Sequence, residues 1–388
     1  MRSAINGDAS DPQLSVSGRA DEEKEKIMKK RYTFTGVLLA LSLAASVLSG
    51  CGNSSTGAAK AETSAAEKTS SQESSAAGET SDEPITIKAV FTTGMTGAIN
   101  RFAIEKGLYE AEGIKFDLTE VKDNAERMAA ITRGDADVAD GDPSSYVPGI
   151  NNGLPAKLVG NMWRYSGCYW LIANNDIKSF EDLKGKKIGT ASATGGMRLS
   201  VLKMLEANGI SEDDVELVAN GTYQTAYATF TSGEVDATII HNPYAAQAEA
   251  DGIGHTLGRA WDYIPDYYTG TIIASNNYIE KHPDELQRFL TAYYKVHEEV
   301  KNNYFDEFIK WGSEYMNTDE DILRKAVESE IDVWLDYPVI PEDRLEKTFE
   351  YLKQYGWIDE NVTPEGTYTN EFAEKAAEEL GLTDPEAK

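Results

Sequence analysis

The chain has 388 residues and a formal net charge of −28, with 65 Asp and Glu against 37 Lys and Arg, and its length allows two domains that each bury a core. Nucleic acid is excluded as an expected partner, because binding it needs clustered basic side chains. A small anion stays admissible, since distant surface charge is screened within about 10 Å at moderate salt and local geometry decides.

Residues 1–27 are polar, acidic and aperiodic; they read as an upstream extension, with translation starting at Met28. Lys29, Lys30 and Arg31 then precede an apolar run, Phe34 to Leu48, which is short for a membrane span and suits the core of a secretion signal. Leu48-Ser49-Gly50-Cys51 resembles the bacterial lipoprotein signal. By that resemblance residues 28–50 are the signal peptide, and Cys51 is the mature N-terminus, lipidated and holding the chain on the outer face of the cytoplasmic membrane. From Gly52 to Glu83 the chain is Ser, Ala, Thr, Gly and Glu with scarcely a large apolar residue. Such a segment cannot bury enough surface to offset its ordering entropy, so residues 51–83 read as a disordered tether.

Ile85 to Phe91 predicts the first strand, followed by the small-residue loop Thr92 to Gly97 and a helix from Ala98 to Glu110. A strand at Lys115 to Val121, a helix at Asn124 to Arg133 and a strand at Asp137 to Ala139 follow, the last running into Gly141-Asp142-Pro143-Ser144-Ser145. Alternating strands and helices predict a mostly parallel sheet covered on both faces, with ligands outside the carboxyl ends of its strands. Asp135, Asp137, Asp140 and Asp142 miss the EF-hand spacing, the four histidines have no paired-ligand spacing, and no dinucleotide or phosphate-loop motif is complete, so no metal and no cofactor is expected. With Cys51 lipidated, Cys168 has no intramolecular partner.

Lys157 to Tyr165 predicts a strand with Trp163 and Tyr165 on one face, either as core or as a flat wall for a ligand. A second α/β series then begins. Lys187 to Thr190 is its strand, and Met197, Val201 and Met204 recur at helical spacing, which places a helix start near Thr194 as N-cap. The first turn of a helix leaves amide N–H groups unpaired at the positive end of the dipole, and Gly195 and Gly196 let an anion or carbonyl oxygen come close. A strand at Val215 to Val218, a helix near Tyr223 to Ser232 and a strand at Ala237 to His241 lead into Asn242-Pro243-Tyr244. Tyr169 to Asn174 and Thr271 to Ser275 read as two extended crossings between lobes. The expected architecture is therefore α/β with two lobes, residues 84–173 plus 274–388 and residues 174–273, joined by a two-strand hinge around a cleft.

Four segments carry a family resemblance: Phe102 to Ile114, Gly134-Asp135-Ala136-Asp137-Val138, Phe180 to Gly189, and Gly233-Glu234-Val235-Asp236-Ala237. They resemble the extracytoplasmic solute-binding proteins of ABC importers that take nitrate, sulfonates, taurine and thiamine-precursor pyrimidines, a type II periplasmic-binding-protein fold. The resemblance implies a monomer that closes on one small molecule, a sulfonate-like anion or a pyrimidine or other heteroaromatic, and delivers it to a permease with a cytoplasmic ATPase. By position it implies ligand-facing roles for Thr93, Gly94, Met95, Thr96, Asp142, Ser144, Trp163, Tyr165, Ser192, Thr194, Gly195, Gly196, Asn242 and Tyr244, with Arg198 a further candidate. His241-Asn242-Pro243-Tyr244 departs from the Trp-Glu-Pro-Tyr type of segment frequent in that family, exchanging a carboxylate for an amide. Two alternatives stay open: an enzyme on the same fold, for which Cys168 and His241 are the candidates, and a ligand sensor.

Overall fold

A computed structural model of the chain describes residues 84–162 and 166–386. The leader, Cys51, the tether, Trp163 and Tyr165 lie outside the described residues.

Two five-stranded sheets organise the body. The first contains β1 (Ile85–Thr92), β2 (Ile114–Val121), β3 (Val138–Gly141), β4 (Ala156–Asn161) and a late strand, β10 (Thr271–Ser275), in the order β2-β1-β3-β10-β4. The second contains β5 (Trp170–Asn174), β6 (Lys187–Gly189), β7 (Glu216–Val218), β8 (Ala237–Ile240) and β9 (Gly254–Arg259), in the order β7-β6-β8-β5-β9. Burial on both faces explains the nearly continuous apolar runs of β5, β8 and β10. Along β1, Ile87, Ala89 and Phe91 enter one core while Val90 enters the core on the opposite face.

The sheets are less parallel than the sequence predicts. β1 runs parallel to β2 and β3, and β6 to β7 and β8. β10, however, is antiparallel to both β3 and β4, and β5 to both β8 and β9. Each of these strands enters its sheet from the other lobe, against the direction of the local strands. For the same reason the two extended crossings are sheet strands: Trp170–Ala173 pairs within the second sheet and Thr271–Ser275 within the first. Their apolar, fully extended backbones are satisfied by ladder hydrogen bonds, so the passages between sheets fall before Trp170 and before Thr271 rather than at residues 173 and 274.

Local signals account for most helices. Asp123 accepts from the Ala125 amide to start the helix Asn124–Arg133, and Gly134, at φ 76°, ends it. The helix expected at Ala98 to Glu110 starts earlier and breaks in two, Met95–Lys106 and Leu108–Ala111, because Gly107 takes φ 80° between them. The strand Gly254–Arg259 and the helix Glu371–Leu380 were not foreseen.

The helix Pro283–Asn303 covers the first sheet with Leu286, Phe289, Leu290, Tyr293, Val296 and Val300. It also buries His297 completely, with Nε2 2.8 Å from Asn100 Oδ1, its ring stacked 4.2 Å from that of Tyr293, and Nδ1 3.6 Å from Asp336 Oδ1. Burial lowers the His297 pKa, and Asp336 only partly opposes it. The unfolded chain therefore binds a proton at this site more readily than the fold does. Stability from this source is complete above about pH 6.5 and is lost as pH falls below that value. Urea unfolding across pH should show a shallower acid decline in His297→Asn than in the natural chain; equal slopes would exclude His297 as the cause.

Candidate functional site

The carboxyl ends of β1, β3, β6 and β8 face a cavity of about 360 Å³ lined by residues of both lobes. Thr92, Thr96, Asn124, Arg127, Asp142 and Ser144 contribute from the first lobe; Ser192, Thr194, Gly195, Gly196, Tyr223 and His241 contribute from the second. Loops after parallel strands are where α/β folds place ligands, and the volume lies within the range of small-molecule sites.

Two helices begin beside this cavity in the same unusual way. Gly94 (φ 72°, ψ −158°) precedes Met95–Lys106, and Gly195 (φ 94°, ψ −179°) precedes Gly196–Ala207. That region of backbone space is essentially restricted to glycine. No side chain caps either start. The Gly97 amide turns back to the Gly94 carbonyl, whereas the first-turn amides of Gly196–Ala207 stand at the positive end of their helix toward solvent or ligand. Thr194, read as the N-cap, is displaced from that role by Gly195; it stands on the cavity rim, where its carbonyl accepts from the Ser192 hydroxyl.

Glycine is also required for space. A Cβ on Gly196 would sit 2.7 Å from a ring carbon of Tyr267, which is itself buried. The start of this helix is pressed against that ring, so the amides have a rigid backing.

Of the lining residues that escaped the sequence reading, two stand out. Arg127 is 4% exposed and shares the inner face of its helix with Ala130 and Ile131. Its Nε donates to Tyr146 Oη (3.2 Å), Nη1 to the Val121 carbonyl (3.0 Å) and Nη2 to Asn124 Oδ1. Burial works against its charge, but neighbouring Asp140 and Tyr146 outweigh burial and raise its pKa. The cavity wall therefore holds a fixed cation. An arginine in register with buried small and aliphatic residues was the available signal. Tyr223 is the other. It adopts φ 50°, stacks on the His241 ring at 4.9 Å, and brings Oη to 3.3 Å from Thr96 Oγ1 across the lobes. His241 in turn meets Tyr169 edge-on at 5.0 Å.

The remaining candidates divide. Thr96, Asp142, Ser144, Ser192, Thr194, Gly195 and Gly196 line the cavity, and Asp142 also caps a helix by accepting from the Ser144 amide at 2.8 Å. Thr93, Gly94, Met95 and Tyr244 line a second, outer cavity instead. Asn242 faces neither. It is 1% exposed, and its Nδ2 donates to the Ala326 carbonyl and to Glu330 Oε2, both at 3.0 Å, tying the second lobe to the C-terminal helices. Arg198 is paired with Glu212 on the far side of its helix start and lines neither cavity.

Cys168 belongs to the core of the first lobe and does not line the cavity that His241 lines. The aspartates serve the backbone: Asp137 accepts from the Lys88 amide, Asp140 from that of Thr92, and Asp135 pairs with Arg133. Among the described residues no group of His, Cys, Asp and Glu is arranged to hold a metal ion.

Comparison with known proteins agrees with this architecture. The family described as NMT1/THI5 like matches residues 97–303. A protein named as a binding protein, YtlA of Bacillus subtilis, is 24% identical over 288 residues, 71% of this chain and 85% of that protein. The riboflavin-binding protein RibY of Chloroflexus aurantiacus is 25% identical over 283 residues, 70% of this chain and 80% of that one. Among solved structures, the alkanesulfonate-binding protein SsuA from Xanthomonas axonopodis pv. citri, bound to MOPS, superposes with a TM-score of 0.62 at 16% identity, covering 75% of this chain and all of that one. The family match spans more than half of the sequence, and the chain belongs to the NMT1/THI5-like family, built on the type II periplasmic-binding-protein fold.

Proposed function

We propose that this chain is the solute-binding component of an ABC importer, capturing a small organic molecule between its lobes. Cys51 would hold it outside the cell membrane and a permease with a cytoplasmic ATPase would receive the ligand. The observation that carries the reading is the uncapped helix start at Gly195 and Gly196 on the wall of an interlobe cavity that also holds the Arg127 guanidinium. Oriented amides and a buried cation favour an oxyanion or a strongly polarised carbonyl. Hydroxyls of Thr96, Ser144 and Thr194 supply further hydrogen-bonding partners, and the Tyr169, His241 and Tyr223 rings form an aromatic wall.

Capture needs no reacting group. A ligand that touches both lobes binds the closed arrangement better than the open one, so closure and affinity are a single equilibrium. The permease would then read the closed form. Among the described residues no helix is long and apolar enough to cross a membrane.

A thermal-shift screen of the purified chain against sulfonates, pyrimidines and flavins tests the reading. A true ligand at a hundred times its dissociation constant adds about 2.7 kcal/mol of stability. If no compound raises the melting temperature, and mass spectrometry finds no co-purified small molecule, the proposal fails.

A further inference from the structure

Beside the inner cavity lies the outer one, of about 680 Å³, also between the lobes. Tyr223 and Lys122 line both cavities, so the two share a wall. The character of the outer space is different. Tyr223, Tyr227, Tyr244 and Tyr315 contribute four rings to its lining.

The polar groups on its far side are committed to one another. Tyr227 Oη donates to Asp251 Oδ2 at 2.8 Å, Gln247 Nε2 donates to Asp251 Oδ1 at 2.9 Å, and Thr318 Oγ1 donates to Gln247 Oε1 at 3.1 Å. Tyr315 is braced from behind by Trp311, stacked at 4.8 Å, and its hydroxyl donates to Glu120 Oε1 at 3.3 Å. The Tyr227 and Tyr315 hydroxyls, held in this way, fix those two rings against the cavity. The Tyr227 and Tyr244 rings, 5.4 Å apart and tilted by 37°, make one corner of it. Lys122 adds a cationic side chain to the lining that the two spaces share.

A wall of aromatic rings, two of them braced, with a cation on the shared lining, suits a planar apolar body that carries negative charge on one edge. We infer that the outer cavity is a second subsite, and that the ligand class of this protein is an extended aromatic anion: its acidic head lies in the inner cavity near Lys122 and Arg127, and its ring system lies among the outer tyrosines. Tyr223 is the partition between the two. Its hydroxyl touches Thr96, and Gly94 leaves room for its ring, since a Cβ there would come within 3.1 Å of it. This inference rests on the solute-binding role proposed above and narrows it.

Isothermal titration calorimetry on the purified full chain, with 2-naphthalenesulfonate and methanesulfonate as probes of one head group with and without rings, tests it. Naphthalenesulfonate is expected to bind at least about tenfold more tightly, and Tyr244→Ala and Tyr315→Ala to weaken it by about 3- to 10-fold each, in the range of single aromatic contacts. Tyr244→Phe, which keeps the ring, should retain the affinity, and methanesulfonate binding should be unmoved by all three. Equal affinity for the two probes, or Tyr variants that weaken both alike, overturns the second subsite. If neither probe binds while a compact solute from the thermal-shift screen does, this inference falls and the transport reading stands; if nothing binds in either experiment, both fall.

Discussion

Gly195→Ala is expected to lower affinity for the captured ligand about 100-fold, equivalent to losing one or two charge-assisted hydrogen bonds at about 1.5–3 kcal/mol each. At φ 94° and ψ −179° the backbone sits where a Cβ is not tolerated, so the peptide before Gly196 must rotate. Its amides then no longer point where a ligand oxygen would rest. Gly196→Ala should act similarly, by pushing the helix start off the Tyr267 ring. The control is Gly209→Ala, just past the other end of the same helix. Gly209 has φ 69° with nothing within 4 Å of the added carbon, so that variant should lose about 1 kcal/mol of stability and keep its affinity. Calorimetric titration of the three variants with a ligand identified in the screen decides the matter. Unchanged affinity in Gly195→Ala would remove the helix amides from the binding site.

Gly97→Ala is expected to be the most damaging single-methyl insertion in the first lobe, costing about 3 kcal/mol or more of folding stability, at or beyond the upper end for overpacked positions. The new carbon would lie 1.8 Å from the Thr92 carbonyl oxygen, close to a bonded distance. Backbone lies on both sides of that contact, so no rotamer relieves it. The helix Met95–Lys106 must lift away from the end of β1, taking Thr96 and its contact with Tyr223 along. Urea unfolding should show a large drop in midpoint, and ligand affinity should fall as well. A near-natural midpoint would mean that helix and strand can part at Gly97 without loss.

How far the site could be foreseen depends on where its determinants lie along the chain. The helix Asn124–Arg133 was legible to the residue because its start and stop signals are both local, the Asp123 cap and Gly134. The glycine pair at 195 and 196 was legible because a strand, a small-residue loop and a helical period follow one another within twenty residues. Arg127 was not, since its burial depends on Tyr146, Asn124 and the Val121 carbonyl converging on it. Nor was the placement of Asn242, whose partners lie more than eighty residues away. The strand Gly254–Arg259 reads as Gly-His-Thr-Leu-Gly-Arg, without an apolar run; it is a strand because β5 offers it a ladder.

The position of β10 between β3 and β4 constrains how the molecule can be assembled. When the ribosome has finished β4, the two strands that will flank β10 have no bonds to each other, and the segment that joins them through the sheet is made only after all of the second lobe. A chain released before Ser275 therefore exposes two unpaired strand edges and cannot complete its first core. The core of the first sheet therefore cannot close until residue 275 of the 388 has been synthesised, however early its other four strands are made.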